Sequence, residues 1–195
     1  MADLEKLRAS LEKRGFVVSC FDTAAQAADY LDRQIDGKTV GIGGSMTVKQ
    51  LGVADRLAGH NTVIWHWDGG DRDEAARAQV YLSSVNGLAE TGEIVNIDGT
   101  GNRVASTIYG HDTLYLVVGV NKIAPDYDQA LWRARNISAP LNAKRLGCKT
   151  PCVTAGHCCD CASPDRICRA LSVLWCKPGG IAHAEVILVN EELGL

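Results

Sequence analysis

The sequence predicts an α/β domain on a layered, mostly parallel sheet, with one antiparallel hairpin and a cysteine-rich, metal-binding loop near the C-terminus. Three observations predict it. Strand-like and helix-like segments take turns over most of the chain, the apolar runs are short and continuous as buried parallel strands are, and seven of the eight cysteines fall between Cys148 and Cys176. At 195 residues the chain is long enough to bury a core without disulfide staples, so one domain over 1–195 is expected. Within it, 1–36 reads as a helix–strand–helix unit and 145–180 as the cysteine-rich insertion.

Leu4, Leu7 and Leu11 have helical spacing, which ends near Gly15, and Phe16 to Cys20 reads as a strand. Asp22 or Thr23 caps an alanine-rich helix over Ala24 to Gln34, closed by the turn Asp36-Gly37. Thr39 to Ile42 is a short buried strand feeding the turn Gly43-Gly44-Ser45-Met46-Thr47 and a helix from Val48 to about Leu57. Asn61 to Trp65 repeats the strand signal, an acidic helix covers Asp71 to Ala78, and Val80 to Ser84 is the next strand. Ile94–Ile97 and Val104–Ile108 flank Asp98-Gly99-Thr100-Gly101-Asn102-Arg103, which predicts the hairpin. Thr113 to Val120 is a central strand, Asp126 to about Ser138 a helix, and Ala184 to Val189 a last strand.

A net charge of -3 and a pI near 5.9 leave no broad basic face, which excludes nucleic acid as a partner. No apolar run approaches the roughly 20 residues that span a bilayer, and Met1 to Leu7 lacks the apolar core of a secretory signal. A cytoplasmic address without membrane attachment is the expectation, and thiols clustered in a reducing compartment favour metal ligation over pairing. Cys20 stands alone and needs no function.

Cys152, Cys158, Cys161 and Cys168 give C-x5-C-x2-C-x6-C on a loop shaped by Pro151, Gly156 and Pro164, a spacing from which four thiolates can converge. Both zinc and iron–sulfur centres accept four cysteines, and the spacing fits neither the two-knuckle zinc pattern nor the bacterial ferredoxin run. The surplus thiols Cys148, Cys159 and Cys176 are substitute ligands and favour a 4Fe-4S cluster over zinc, with redox-active or buried thiols as the third reading. His157, inside the loop, is a further ligand candidate or a donor to a cluster sulfide; His60, His66, His111 and His183 show no partner pattern, and Trp65-His66-Trp67 reads as a buried strand end.

Gly43, Gly44, Ser45, Met46 and Thr47 lie where a strand feeds a helix, the usual crevice of open α/β sheets, and their N–H and hydroxyl groups suit a phosphate or carboxylate. A tight βα turn needs glycine anyway, so both readings stand. Ser83, Ser84 and Asn86 are polar residues fit to line the same crevice or to stabilise a turn. Asp98, Asn102 and Arg103 belong to the hairpin turn, with Arg103 also able to clamp an acidic ligand.

The ordered motifs Val40-Gly41-Ile42-Gly43-Gly44-Ser45-Met46-Thr47, Gly92 to Val104, Val118-Gly119-Val120-Asn121-Lys122-Ile123, Ala139 to Arg145, Thr150-Pro151-Cys152 and Asp160 to Cys168 resemble the LUD (lactate-utilisation) domain family, in its cysteine-bearing branch. The resemblance implies a phosphosugar-isomerase and CoA-transferase type of fold, a small-molecule site beside the glycine turn, and a role in 2-hydroxy-acid oxidation alongside redox partner proteins. It also implies that Cys152, Cys158, Cys161 and Cys168 hold the cluster. Four thiolate ligands favour electron transfer, whereas three leave an iron open as a Lewis acid.

The expectation is therefore an iron–sulfur protein of lactate-type metabolism, an oxidoreductase or a component of such a system. Its partners would be a small anionic metabolite, a redox protein and, as a homodimer, a second copy of itself. The alternative is a non-catalytic metabolite-binding or sensor module with a structural zinc or cluster. A third reading, an isomerase or acyl-transfer enzyme, needs a placed base, and only Glu90, Glu93 and Asp98 offer carboxylates near the crevice.

Overall fold

The computed structural model describes residues 4–195; Met1, Ala2 and Asp3, part of the stretch read for a signal sequence, lie outside the described residues. The leucine spacing forms α1 (Leu4–Lys13), which buries Leu7 and Leu11 completely. Next come β1 (Val17–Phe21) and α2 (Ala24–Gln34), whose capping box is made by Thr23 and Gln26. β2 (Thr39–Ile42) leads into α3 (Met46–Leu51) and α4 (Val53–Ala58), the expected single helix broken at Gly52, which has a positive φ. β3 (Thr62–Trp65), a short α5 (Arg72–Ala75) and β4 (Val80–Ser84) follow, then β7 (Thr113–Gly119) and, last in the chain, β10 (His183–Val189).

These six strands form one sheet in the order β1-β10-β7-β4-β2-β3, every pair parallel. Side chains alternate between its faces. On β7, Tyr115 and Val117 join the cluster under α2, α3 and α4, while Leu114, Leu116 and Val118 join the cluster containing Leu7 and Leu11 of α1.

A second sheet covers that other face. It comprises β5 (Gly87–Ala89), β6 (Ile94–Asp98), β8 (Ile123–Ala124) and β9 (Ala170–Leu174), in the order β8-β5-β6-β9. Leu88, Ile94 and Leu174 face the large sheet, and Ala89 and Val95 face Ala130 and Ala134 of the helical segment that begins with α7 (Tyr127–Arg133). The antiparallel pairs, β5 with β6 and β6 with β9, are confined to this sheet.

Three expectations are corrected. The hairpin joins β5 and β6, not β6 and a strand at Val104–Ile108; Asn102–Ser106 is helix α6. Its N-terminus forms because the Asp98 carboxylate accepts the N–H groups of Arg103 (2.9 Å) and Val104 (3.2 Å), which outweighs the strand propensity of Val104 and Thr107.

The helix expected to end at Ser138 runs through a π-helical turn, Ala134–Ser138, into α8 (Ala139–Arg145). Pro140 stands in the first turn after the π segment, where its missing N–H is tolerated. The cysteine segment is not wholly irregular, for it contains α9 (Pro151–Ala155), with proline in the first turn, and β9. No helix among the described residues is long and apolar enough to cross a membrane.

Candidate functional site

From β2 the chain moves outward to β3 and then returns to the other side of β2 as β4, so the direction of winding reverses between β2 and β4. Such a reversal opens a crevice at the carboxyl ends of parallel strands. A cleft of about 440 Å³ lies there, lined by Gly44, Ser45, Met46, Ser84, Asn86, Asp98, Asn102 and Arg103 among others. Those eight expected site residues come together. Gly43, Thr47 and Ser83 sit behind them, with Thr47 and Ser83 fully buried.

The glycines serve close packing. A Cβ on Gly43 would lie 2.8 Å from the Tyr81 hydroxyl and 2.9 Å from Ser83 Oγ, and one on Gly44 would lie 3.3 Å from His66 Cε1. The Ser45 hydroxyl is spent as a helix cap, accepting from Val48 N at 3.2 Å.

The floor of the cleft is cationic. Arg103, on α6, turns its guanidinium inward. Nη1 donates to Asn96 Oδ1 (2.6 Å) and the Ser84 carbonyl (3.3 Å), and Nη2 donates to Asn86 Oδ1 (2.9 Å) and the Ile97 carbonyl (2.6 Å). Lys122 follows β7 in a 3-10 turn; its Nζ donates to Thr47 Oγ1 (2.7 Å), Ser84 Oγ (2.9 Å) and the Val85 carbonyl (3.0 Å).

Behind them Arg133 donates to the carbonyls of Asn121 and Asn86 and to Ser138 Oγ, each at 2.7 Å. The π turn makes that last bond, because a wider turn brings residues five apart onto one face. Burial, and then the neighbouring Arg133 and Arg103, hold the Lys122 amine well below the ordinary lysine value of 10.5.

All three cations are at least nine-tenths buried, and none is in an ion pair among the described residues. The one buried carboxylate among those residues, Glu185, is engaged instead with Ser19, Tyr30 and His183. Asp98 reaches the cleft, but its oxygens accept the N–H groups of Gly99, Thr100, Arg103 and Val104. Glu93 pairs with Arg14 and Glu90 with Lys6, and neither lines the cleft, so the carboxylates weighed for base chemistry reduce to Asp98.

The rim is basic and aromatic. His66 and Trp67 occupy a 3-10 turn after β3 and line the cleft with Arg72 of α5 and Asn142 and Arg145 of α8, so only Trp65 of that trio is the buried strand end expected. Burial and the nearby Arg72 depress the His66 pKa. The Arg145 guanidinium lies over the Trp67 ring at 5.2 Å and donates to Asn142 Oδ1 through Nε (3.0 Å) and Nη2 (2.8 Å).

The sequence matches the LUD domain family over residues 4–189. This chain belongs to the LUD domain family. No curated protein matches it. A DUF162 family protein from Deinococcus radiodurans, known from a 1.70 Å crystal structure, is similar in fold at 15% identity and a TM-score of 0.55, with 95% of each chain covered.

In this LUD domain the cysteine segment closes one side of the cleft, through Ile167 and Cys168. All eight thiols are free. As placed, however, they form no cage, for no group of three or more His, Cys, Asp or Glu side chains among the described residues could hold a metal ion. The donors suit a thiolate-bound centre in kind and not in position.

The β9 ladder anchors the end of the segment through backbone, and side chains tether the part that carries most of the thiols. Arg166 donates to the carbonyls of Cys161 (2.7 Å) and Cys168 (2.9 Å), Asn136 accepts from Cys158 N (3.2 Å), and Arg135 and Arg166 both meet Asp160 at 3.3 Å. His157 is exposed and bonds the Ala155 carbonyl.

Sequence reasoning missed Lys122, Arg133, Arg72, Asn142 and Arg145, and gave His66 and Trp67 no role. For Lys122 a signal existed: a lysine three residues after the central strand falls at the carboxyl end of the sheet, where ligands bind. Asn142 and Arg145 fell inside the quoted motif Ala139 to Arg145 without being given a role, and Arg133 carried no signal, since the π turn that aligns it with Ser138 has no sequence mark.

Proposed function

We propose that this LUD domain binds a small anionic metabolite of the 2-hydroxy-acid, lactate-like class in the cleft, and that the adjoining cysteine segment holds a 4Fe-4S cluster through Cys152, Cys158, Cys161 and Cys168. One observation carries the first part: Arg103 and Lys122 are buried at the cleft floor with Arg133 behind them, and none of the three pairs with an Asp or Glu side chain among the described residues, although Arg133 Nη1 also reaches Leu195 O at 3.4 Å. Burying a guanidinium without a counter-ion costs several kcal/mol, and burial disfavours the charged form of Lys122; an incoming carboxylate relieves both.

In that reading Lys122 and the Ser84 hydroxyl meet the carboxylate, and the Arg103 fork, fixed by Asn86 and Asn96, holds the floor rigid. An anion set beside Lys122 favours its charged form, against the effect of burial. The wall of Ile167 and Cys168 sets the ligand beside the thiol segment.

The composition supports the cluster, with seven free thiols between Cys148 and Cys176. A cluster held by Cys152, Cys158, Cys161 and Cys168 would supply an electron acceptor, or a Lewis acid if only three of them bound it. Loading requires the segment to draw its sulfurs together, because their present placement does not converge.

Calorimetry with L-lactate on the full chain tests the first part, and iron and labile-sulfide counts after anaerobic purification test the second. Lactate binding weakened at least tenfold in Lys122→Met and near-equal iron and sulfide support the reading. Zinc without sulfide supports a non-catalytic metabolite-binding module instead, and no lactate binding at all sinks the cleft assignment.

A further inference from the structure

We infer that the ligand carries two anionic groups, one seated at the buried floor and a second held at the rim by Arg72 and Arg145. This rests on the cleft being an anion site, as proposed above, and deepens it to a substrate class: a hydroxy acid bearing a second carboxylate or a phosphate.

Three observations carry it. The first is charge. Four basic side chains, Arg72, Arg103, Lys122 and Arg145, line the cleft against one acidic side chain, Asp98, whose oxygens are committed to backbone N–H groups, and this in a chain whose net charge is -3. A monoanion seated on the floor leaves the rim pair without a counter-charge, since neither Arg72 nor Arg145 is in an ion pair among the described residues.

The second is size. The cleft, about 440 Å³ and open to solvent at its rim, runs from Lys122 to Arg72 and Arg145, while lactate has only six heavy atoms. The third is pre-organisation. Asn142 Oδ1 grips Arg145 through Nε and Nη2 and Trp67 supports its face, which leaves Nη1 without a protein partner among the described residues. A guanidinium fixed in this way suits carboxylate or phosphate recognition, for little rotamer freedom remains to be lost on binding.

The test is calorimetry on the full chain with L-lactate, L-malate and 3-phosphoglycerate, repeated on the Arg72→Gln/Arg145→Gln double variant; both side chains are exposed, so the variant should fold, with circular dichroism as the check. The expected result is at least tenfold tighter binding of malate or 3-phosphoglycerate than of lactate, with that ratio falling to within about twofold in the double variant. Which of malate and 3-phosphoglycerate binds tighter tells a carboxylate second group from a phosphate. Equal affinity for lactate and for both of them overturns the inference and leaves the anion cleft standing. A preference that persists in the double variant overturns it too, since the second group would then sit elsewhere, and failure of all three ligands to bind removes the underlying assignment with it.

Discussion

Lys122 is the side chain on which the cleft turns. Its Nζ is surrounded by two hydroxyls and a carbonyl, and burial, followed by Arg133 and Arg103, disfavours the charged form. An anion set against Nζ favours the charged form, so the pKa rises on binding and a proton is taken up between the two values. The sign follows: affinity is fully present below the pKa of the empty state and is lost as pH rises through that of the liganded state. Calorimetry in buffers of different ionisation enthalpy should report proton uptake on lactate binding, and proton release would show that the anion does not meet this amine. Lys122→Met should weaken binding at least tenfold, about 1.4 kcal/mol. Arg103 answers to a different test, because its fork closes four bonds that a lysine cannot reproduce. Arg103→Lys should cost about 2 kcal/mol of stability in urea denaturation, and an unchanged midpoint would mean that the Asn86 and Asn96 amides hold the floor unaided.

Elements position those residues through close contacts that single substitutions would break. Helix α7 packs so tightly on β5 that a Cβ on Gly87 would overlap the Ala130 carbonyl oxygen. Gly87→Ala should therefore destabilise by about 1–3 kcal/mol, read as a lowered thermal midpoint, and a neutral result would show that the helix slides freely over the strand. The parallel strands and α1 and α2 were legible in the sequence because local signals, leucine spacing or a capping box or a continuous apolar run, agreed with the tertiary outcome. The hairpin at Val104–Ile108 was misread where they disagreed. β-branched residues favour a strand there, but Asp98 gathers the N–H groups of α6, and the ladder partner of β6 arrives from Ala170–Leu174, far along the chain. The glycine turn, Ser84, Asn86 and Arg103 were legible in the site because they lie near strand ends. Arg145 and Trp67 were not, since a stack between residues distant in sequence leaves no local pattern.

Over the whole molecule, charge is partitioned. The chain is acidic, yet basic residues concentrate at the carboxyl end of the sheet, buried on the floor and exposed at the rim. These two sets respond differently to salt. The Debye length shrinks from about 30 Å at 0.01 M to about 8 Å at 0.15 M, which screens the attraction of Arg72 and Arg145 for an anion still in solvent while leaving Lys122 and Arg103, removed from water, nearly unscreened. Steering acts on the encounter and buried contacts act on escape, so added salt should slow association and leave dissociation almost unchanged. Stopped-flow binding of a dianionic hydroxy acid between those two salt concentrations should show a several-fold drop in the association rate at a constant dissociation rate. Salt dependence concentrated in the dissociation rate would place the bound anion at the solvent-exposed rim alone, and the buried cations would then need a role other than ligand binding.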